Sequence, residues 1–370
     1  MNSPSLPFRD PVAAAAVLRR LARLPEPDRP LTFMHVCGTH ENALARSGLR
    51  RLLPPWLRLI AGPGCPVCVC PPAEIAAAAR LTLAAGAVVA TFGDMLRVPG
   101  GLSLEEARAC GGDIRVVLGA AEAAELATAE PERLVVFLAV GFETTACTTA
   151  AALLADPAPN FLVLSVHRLI PPALAALLHM DDVRVDGFLL PGHVLTVTGA
   201  DAYEEALRDC GRPAAVAGFE PLDMLLGIHA LARRALSRES GVDNLYPRAV
   251  RPAGNPRALA AMDRVFRVGD AAWRGLGIIP ASGLLLREEF SRHDAREHFA
   301  ALLDGVETEA GAEDPPGCRC GDVMVGRLDP RDCPLFGTEC TPDTPRGACM
   351  VGGEGTCRAR FLFPEVWDGR

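Results

Sequence analysis

From Leu31 to Ala217 the chain alternates short apolar runs with alanine-rich stretches of helical length, and this alternation sets the fold class. Strands are expected at Leu31–Val36, Leu57–Ala61, Ala87–Thr91, Ile114–Val117, Leu134–Val140, Phe161–Val166, Gly187–Leu190 and Ala214–Ala217. Helices are expected between them, for example at Ala73–Ala85, Ala120–Ala129 and Tyr203–Cys210. Continuous Val/Leu/Ile runs, rather than polar–apolar alternation, mark strands buried on both faces, and hence parallel sheets covered by helices. In such α/β sheets function collects in the loops beyond the carboxyl ends of the strands.

A weak repeat runs through the same region. MHVCGTHENA from Met34 resembles LAVGFETTAC from Leu138, and LIAGPGCPVCV from Leu59 parallels FLLPGHVLTV from Phe188. VVATFGDML from Val88 parallels AVAGFEPLDML from Ala215. Matches in the same order predict two similar parallel-sheet α/β domains facing a cleft, the first over 12–130 and the second over 131–240. A Pro/Arg/Gly-rich stretch, Asn244–Pro256, then leads to expected helical segments around Ala258–Trp273 and Arg287–Leu303. After the acidic stretch Glu307–Gly317 comes a cysteine-dense tail, so 241–370 is expected to form a third, smaller mixed domain.

Charge narrows the partners. Lys plus Arg number 37 against 45 Asp plus Glu, a net charge of −8, without the positive surface that nucleic acid requires. No membrane span is expected, because the longest apolar candidate, Leu134–Ala155, is broken by Gly141 and Glu143. Met1–Asp10 lacks a basic stretch followed by an apolar one, so cytoplasmic residence is expected. Structural disulfides are rare there, which leaves metal ligation, redox work or nucleophilic chemistry to explain 13 cysteines.

The tail sets Cys333, Cys340, Cys349 and Cys357 in the pattern C-x6-C-x8-C-x7-C, among glycines and prolines that favour loops. Loops converging thiolates from several directions suit a [4Fe–4S] cluster. Structural zinc is the rival, although these spacings are wider than the tight CxxC knuckles of zinc sites. Cys318 and Cys320 are alternative ligands or a redox pair.

Two motifs stand out in the first half. Cys37-Gly38-Thr39-His40-Glu41 follows a strand and opens a helix, where the helix dipole favours a thiolate; His40 offers a ligand or proton carrier and Glu41 a carboxylate. Gly62-Pro63-Gly64-Cys65-Pro66-Val67-Cys68 has the CxxC spacing of reversible disulfides or soft-metal sites, with Cys70 a third thiol nearby. Asp94, Glu143, His167, His193, Glu220 and Asp223 fall at strand ends, where facing domains would gather them. No Walker A motif, complete GxGxxG fingerprint or GxSxG elbow occurs.

The strings CGTHE, GPGCPVC, TFGDMLRVPG, GFETT, PGHV, GFEPLD and CPLFGTECTPDTPRGACMVGGEGTC, in order from about residue 31 to 360, resemble the HypD family of [NiFe]-hydrogenase maturation factors. The resemblance implies a scaffold that, with a small HypC-type chaperone, holds iron while it becomes Fe(CN)2CO, a HypE-type protein donating cyanide. It implies that Cys37 is the iron's thiolate ligand, shared with the partner's N-terminal cysteine, with His40 and Glu41 beside it. Cys65 and Cys68 would then be a redox pair, and Cys333, Cys340, Cys349 and Cys357 the ligands of the [4Fe–4S] cluster. Cys70 departs from the family, which more often has Thr there, and this puts the disulfide partners in question. Thiolate suits low-spin iron carrying cyanide and carbon monoxide, and a cluster beside a dithiol suits an electron relay. Such a protein is an assembly scaffold with redox activity more than a turnover enzyme. The other readings are a stand-alone Fe–S disulfide oxidoreductase and a zinc-stabilised interaction module.

Overall fold

A computed structural model describes residues 10–180, 183–306 and 315–364. Every expected strand forms, with bounds within about one residue of those read from the apolar runs. They are β1 (Leu31–His35), β2 (Leu57–Ala61), β3 (Val88–Thr91), β4 (Ile114–Val116), β5 (Val135–Gly141), β6 (Phe161–His167), β7 (Gly187–Pro191) and β8 (Pro213–Ala217). A short further strand, β9 (Gly241–Asn244), lies where only a linker was expected to begin.

All of these pair in parallel, in a five-stranded sheet of order β2-β1-β7-β8-β9 and a four-stranded sheet of order β4-β3-β5-β6. β5 and β6 are buried at every residue, as strands covered on both faces must be. The division expected at residue 130 does not separate the sheets. β1 and β2 leave the first half to pair with β7, while β3 and β4 pair with β5 and β6. The two orders nevertheless coincide when β1 is matched to β5, β2 to β6, β3 to β7 and β4 to β8. The chain thus carries two similar four-strand units that exchange halves. Of the sequence matches, the one joining β1 to β5 agrees with this; those joining β2 to β7 and β3 to β8 are displaced by one strand.

The region after β9 also differs from expectation. A helix covers Pro256–Val265, but Phe266–Trp273 (β10) and Gly277–Leu286 (β11) form an antiparallel hairpin with a bulge between Gly269 and Ala271. Exposed and buried positions are mixed along both strands, and Gly269, Pro280 and Gly283 weaken the strand pattern. The tail, from Pro315, has short helices only, Cys320–Met324 and Thr356–Leu362 being the longest. Thr356–Leu362 packs against the helix Gly38–Ser47 that follows β1, bringing the tail beside the loop that carries Cys37.

Candidate metal and redox site

Cys37 ends the loop after β1 as the N-cap of helix Gly38–Ser47, and Cys65 is the N-cap of the short helix Pro66–Val69 after β2. β1 and β2 are neighbours, so both cysteines lie at the carboxyl edge of one sheet. The N–H of Gly38 donates to the Gly64 carbonyl (3.1 Å), and the N–H of Gly62 to the His35 carbonyl (2.9 Å). Cys65 and Cys68 form a disulfide with their Cα atoms 5.2 Å apart, and the Cys68 N–H points at the Cys65 sulfur (3.2 Å). Cys70 is a free, buried thiol.

Cys37, Cys65, Cys68, Cys349 and Glu354 line one small space. The loop carrying Glu354 is tied to the helix that Cys37 opens: Thr39 Oγ1 donates to Glu354 Oε1 (2.7 Å), and Asn42 Nδ2 to the Gly353 carbonyl (3.1 Å). Burial pushes the Cys37 thiol up to about 12, against the backbone N–H groups of His40 and Thr39, and the nearby Glu354 carboxylate adds to the rise. Burial therefore outweighs the helix N-terminus, contrary to the expected ready thiolate. A thiol so placed stays protonated until a cation supplies the compensating charge.

His40 and Glu41 part company with that space in different ways. The His40 ring turns to the strand-end loop after β8, where Nε2 meets the Gly218 carbonyl (3.0 Å) and the ring packs on Phe219 (centroids 4.9 Å). Burial lowers it to about 3, so it is neutral. His193 packs on the same Phe219 (5.1 Å). Glu41 lines the space but is engaged in a buried cluster, its Oε2 2.6 Å from His35 Nε2 and 2.7 Å from an Arg50 nitrogen. Burial pushes its carboxyl up, but Arg50 and His35 together hold it below the usual range. His35 Nδ1 reaches the Cys37 carbonyl (3.2 Å), so the cluster braces the backbone of the cysteine.

The tail gathers more thiols than were expected to converge. Cys318, Cys320, Cys333, Cys340, Cys349 and Cys357 line one cavity with Phe336 and Met350. Backbone N–H groups point at two of the sulfurs, Arg346 at Cys340 (3.3 Å) and Cys349 at Cys320 (3.4 Å). Burial raises the Cys340 thiol; at Cys357 a hydrogen bond with Cys349 lowers it, and burial beside Cys320, Cys340 and Cys318 outweighs that. Among the described residues no three His, Cys, Asp or Glu side chains close on one point as a single ion requires. Cys349 lines both this cavity and the space beside Cys37.

The family model for HypD, described as "Hydrogenase formation hypA family", matches residues 12–364. Hydrogenase maturation factor HypD of Rhizobium leguminosarum bv. viciae is 43% identical over 368 residues, 96% of this chain and 94% of the relative. Its namesakes in Cupriavidus necator and Escherichia coli K12 are 42% identical over 373 residues (98% and 97% of the two chains) and 43% over 343 residues (91% and 90%). The chain belongs to the HypD family. It is thus a HypD hydrogenase maturation factor by sequence and has the parallel α/β sheets expected of it. Among the described residues no helix is long and apolar enough to cross a membrane.

Some residues of this HypD site were not picked out from the sequence. Glu354 lies inside a quoted tail string, but nothing local ties it to Thr39, 315 positions away. His35 sits within an apolar strand. Arg274, in the β10–β11 turn, is buried and donates to the carbonyls of Cys70 (2.8 Å) and Pro99 (2.6 Å), fixing the segment beyond the disulfide.

Proposed function

We propose that this chain, with a HypC-type small partner, is the scaffold on which an iron ion becomes Fe(CN)2CO for the [NiFe] site of a hydrogenase, a HypE-type protein donating cyanide. The observation that carries the reading is the small space lined jointly by Cys37, the Cys65–Cys68 disulfide and Cys349. Iron is the cargo. Cys37 would bind it as thiolate, giving up its proton as the cation replaces the charge balance that burial denies the free thiol. His35, held by Glu41 and Arg50, braces the Cys37 carbonyl, and His40 stays a neutral neighbour.

The tail cavity fits a [4Fe–4S] cluster by its donors, soft thiols in loops with N–H groups turned toward sulfur. Cys333, Cys340, Cys349 and Cys357 would hold it, and it would supply one-electron transfer chemistry. Cys65 and Cys68 would then cycle between disulfide and dithiol beside Cys37. Residues 241–370 make the third domain in this reading.

Infrared spectra of the anaerobically purified complex with the small partner test it. Cyanide and carbonyl bands are expected for the wild type and should vanish with Cys37→Ala; their absence from the wild type would sink the proposal. Turnover of a thioredoxin-like substrate without the partner would favour a free-standing oxidoreductase instead.

A further inference from the structure

A groove of about 580 Å3 runs between β2 with its preceding loop on one side and tail residues 323–331 on the other. Its floor is apolar, formed by Leu53, Leu57, Ile60, Val323 and Leu328. Four arginines line it. Arg50 is committed to Glu41, and Arg331 to Asp329. Arg51 and Arg58 are exposed and their guanidinium groups have no ion-pair or hydrogen-bond partner among the described residues, in a chain whose net charge is −8. Ala61 and Thr356 line both this groove and the space beside Cys37, so the two adjoin.

We propose that the groove docks an acidic, apolar-faced segment of the small partner protein and so aligns that partner with Cys37. Apolar side chains of the segment cover the floor, and its carboxylates meet Arg51 and Arg58 at the rim. The docking does not extend the sheet. β2 is an edge strand whose Leu59 carbonyl faces away from β1, and Arg50 Nε already lies 3.4 Å from it. Side-chain packing and charge therefore hold the segment, with rim charges setting encounter rate and salt dependence.

This rests on the proposed assembly only in that a partner shares the Cys37 site. Calorimetric titration of the full chain with the small partner, at about 50 and about 200 mM salt, tests it. Arg51→Glu with Arg58→Glu should weaken binding about tenfold or more at low salt and flatten the salt dependence. Arg257→Glu, an exposed reversal elsewhere, should leave the dissociation constant unchanged. An unchanged constant in the double variant, or binding insensitive to salt, overturns the groove assignment. So does a dimer of the chain alone that the double variant abolishes, since the occupant would then be a second copy. Missing infrared bands from a wild-type complex that still forms would instead count against the assembly role and leave the groove standing.

Discussion

Gly64 lies so close to Cys37 that a methyl group on it would fall 2.2 Å from the Cys37 nitrogen and 2.0 Å from the Val36 carbonyl carbon. The atoms in the way are backbone, so no side chain can swing aside. This contact and the Gly38-to-Gly64 hydrogen bond fix the disulfide turn against the turn that carries Cys37. Gly64→Ala should lower stability by about 1–3 kcal/mol, the usual cost of overpacking, and erase the iron–cyanide bands. Gly353→Ala, where a methyl would meet open space, should change neither melting temperature nor spectrum.

The buried Glu41 cluster predicts an acid limb. The carboxyl is held below its ordinary value of 4.5, so its stabilising effect is fully present above about pH 4.5 and is lost as pH falls through the folded value. Glu41→Gln removes one partner of a buried pair, which costs about 3–5 kcal/mol near neutrality. Melting curves of the two proteins should converge as pH drops below about 4.5. A constant difference across that range would mean that Glu41 acts by packing alone.

Glu143 has the opposite sign. It opens the helix Glu143–Leu154 after β5, and burial raises its carboxyl to about 7 despite the backbone N–H groups of Glu143 itself and Ile170. Below about pH 4.5 both folded and unfolded chains hold the proton. Between 4.5 and about 7 only the folded chain holds it, so stability falls as pH rises, by about 3 kcal/mol in total, and then levels off. Glu143→Gln should abolish that decline, making the variant more stable relative to wild type at pH 8 than at pH 5. An infrared band of a protonated carboxyl near pH 6 should disappear with it.

Cys70 bears on which sulfurs take part in redox exchange. It is the C-cap of the helix that Cys65 opens, and burial pushes its thiol up to about 12. A thiol so reluctant to ionise attacks a disulfide slowly. Cys70→Ser should therefore keep the two-electron redox step, while Cys65→Ser and Cys68→Ser lose it. Thiol counting before and after reduction reads this directly.

Local pattern carried much of the fold. Runs such as VVFLAV and FLVLSV read as strands because they are short and rich in Val and Phe, and a sheet covered on both faces buries such residues in succession. Pairing is another matter. The chain leaves β2 for the other sheet at β3 and returns at β7, and the strands themselves do not encode that exchange. The hairpin Phe266–Leu286 was hidden because polar Arg267 and Asp270 and the breaker Pro280 interrupt it. At the site, Cys37 and the CxxC pair were legible from spacing. Glu354 and Arg274 were not, since their contacts form only when the tail and the hairpin fold back.

Six thiols around the tail cavity are more than a four-iron cube can take, and this gives the sharpest test of the ligand set. Each true ligand, replaced by serine, should cost iron and labile sulfide; each bystander should leave both in place. The proposed set predicts losses for Cys333→Ser, Cys340→Ser, Cys349→Ser and Cys357→Ser and retention for Cys318→Ser and Cys320→Ser. Cys349 is the discriminating position, because it alone of the six also borders the space beside Cys37. If Cys349→Ser keeps the cluster while Cys318→Ser loses it, Cys318 is the fourth ligand. Cys349 would then stand between cluster and disulfide as a packing residue, and replacing it should alter the disulfide's reduction rate without changing the iron content. Cys110→Ser, at an exposed thiol far from both cavities in sequence, should alter neither quantity.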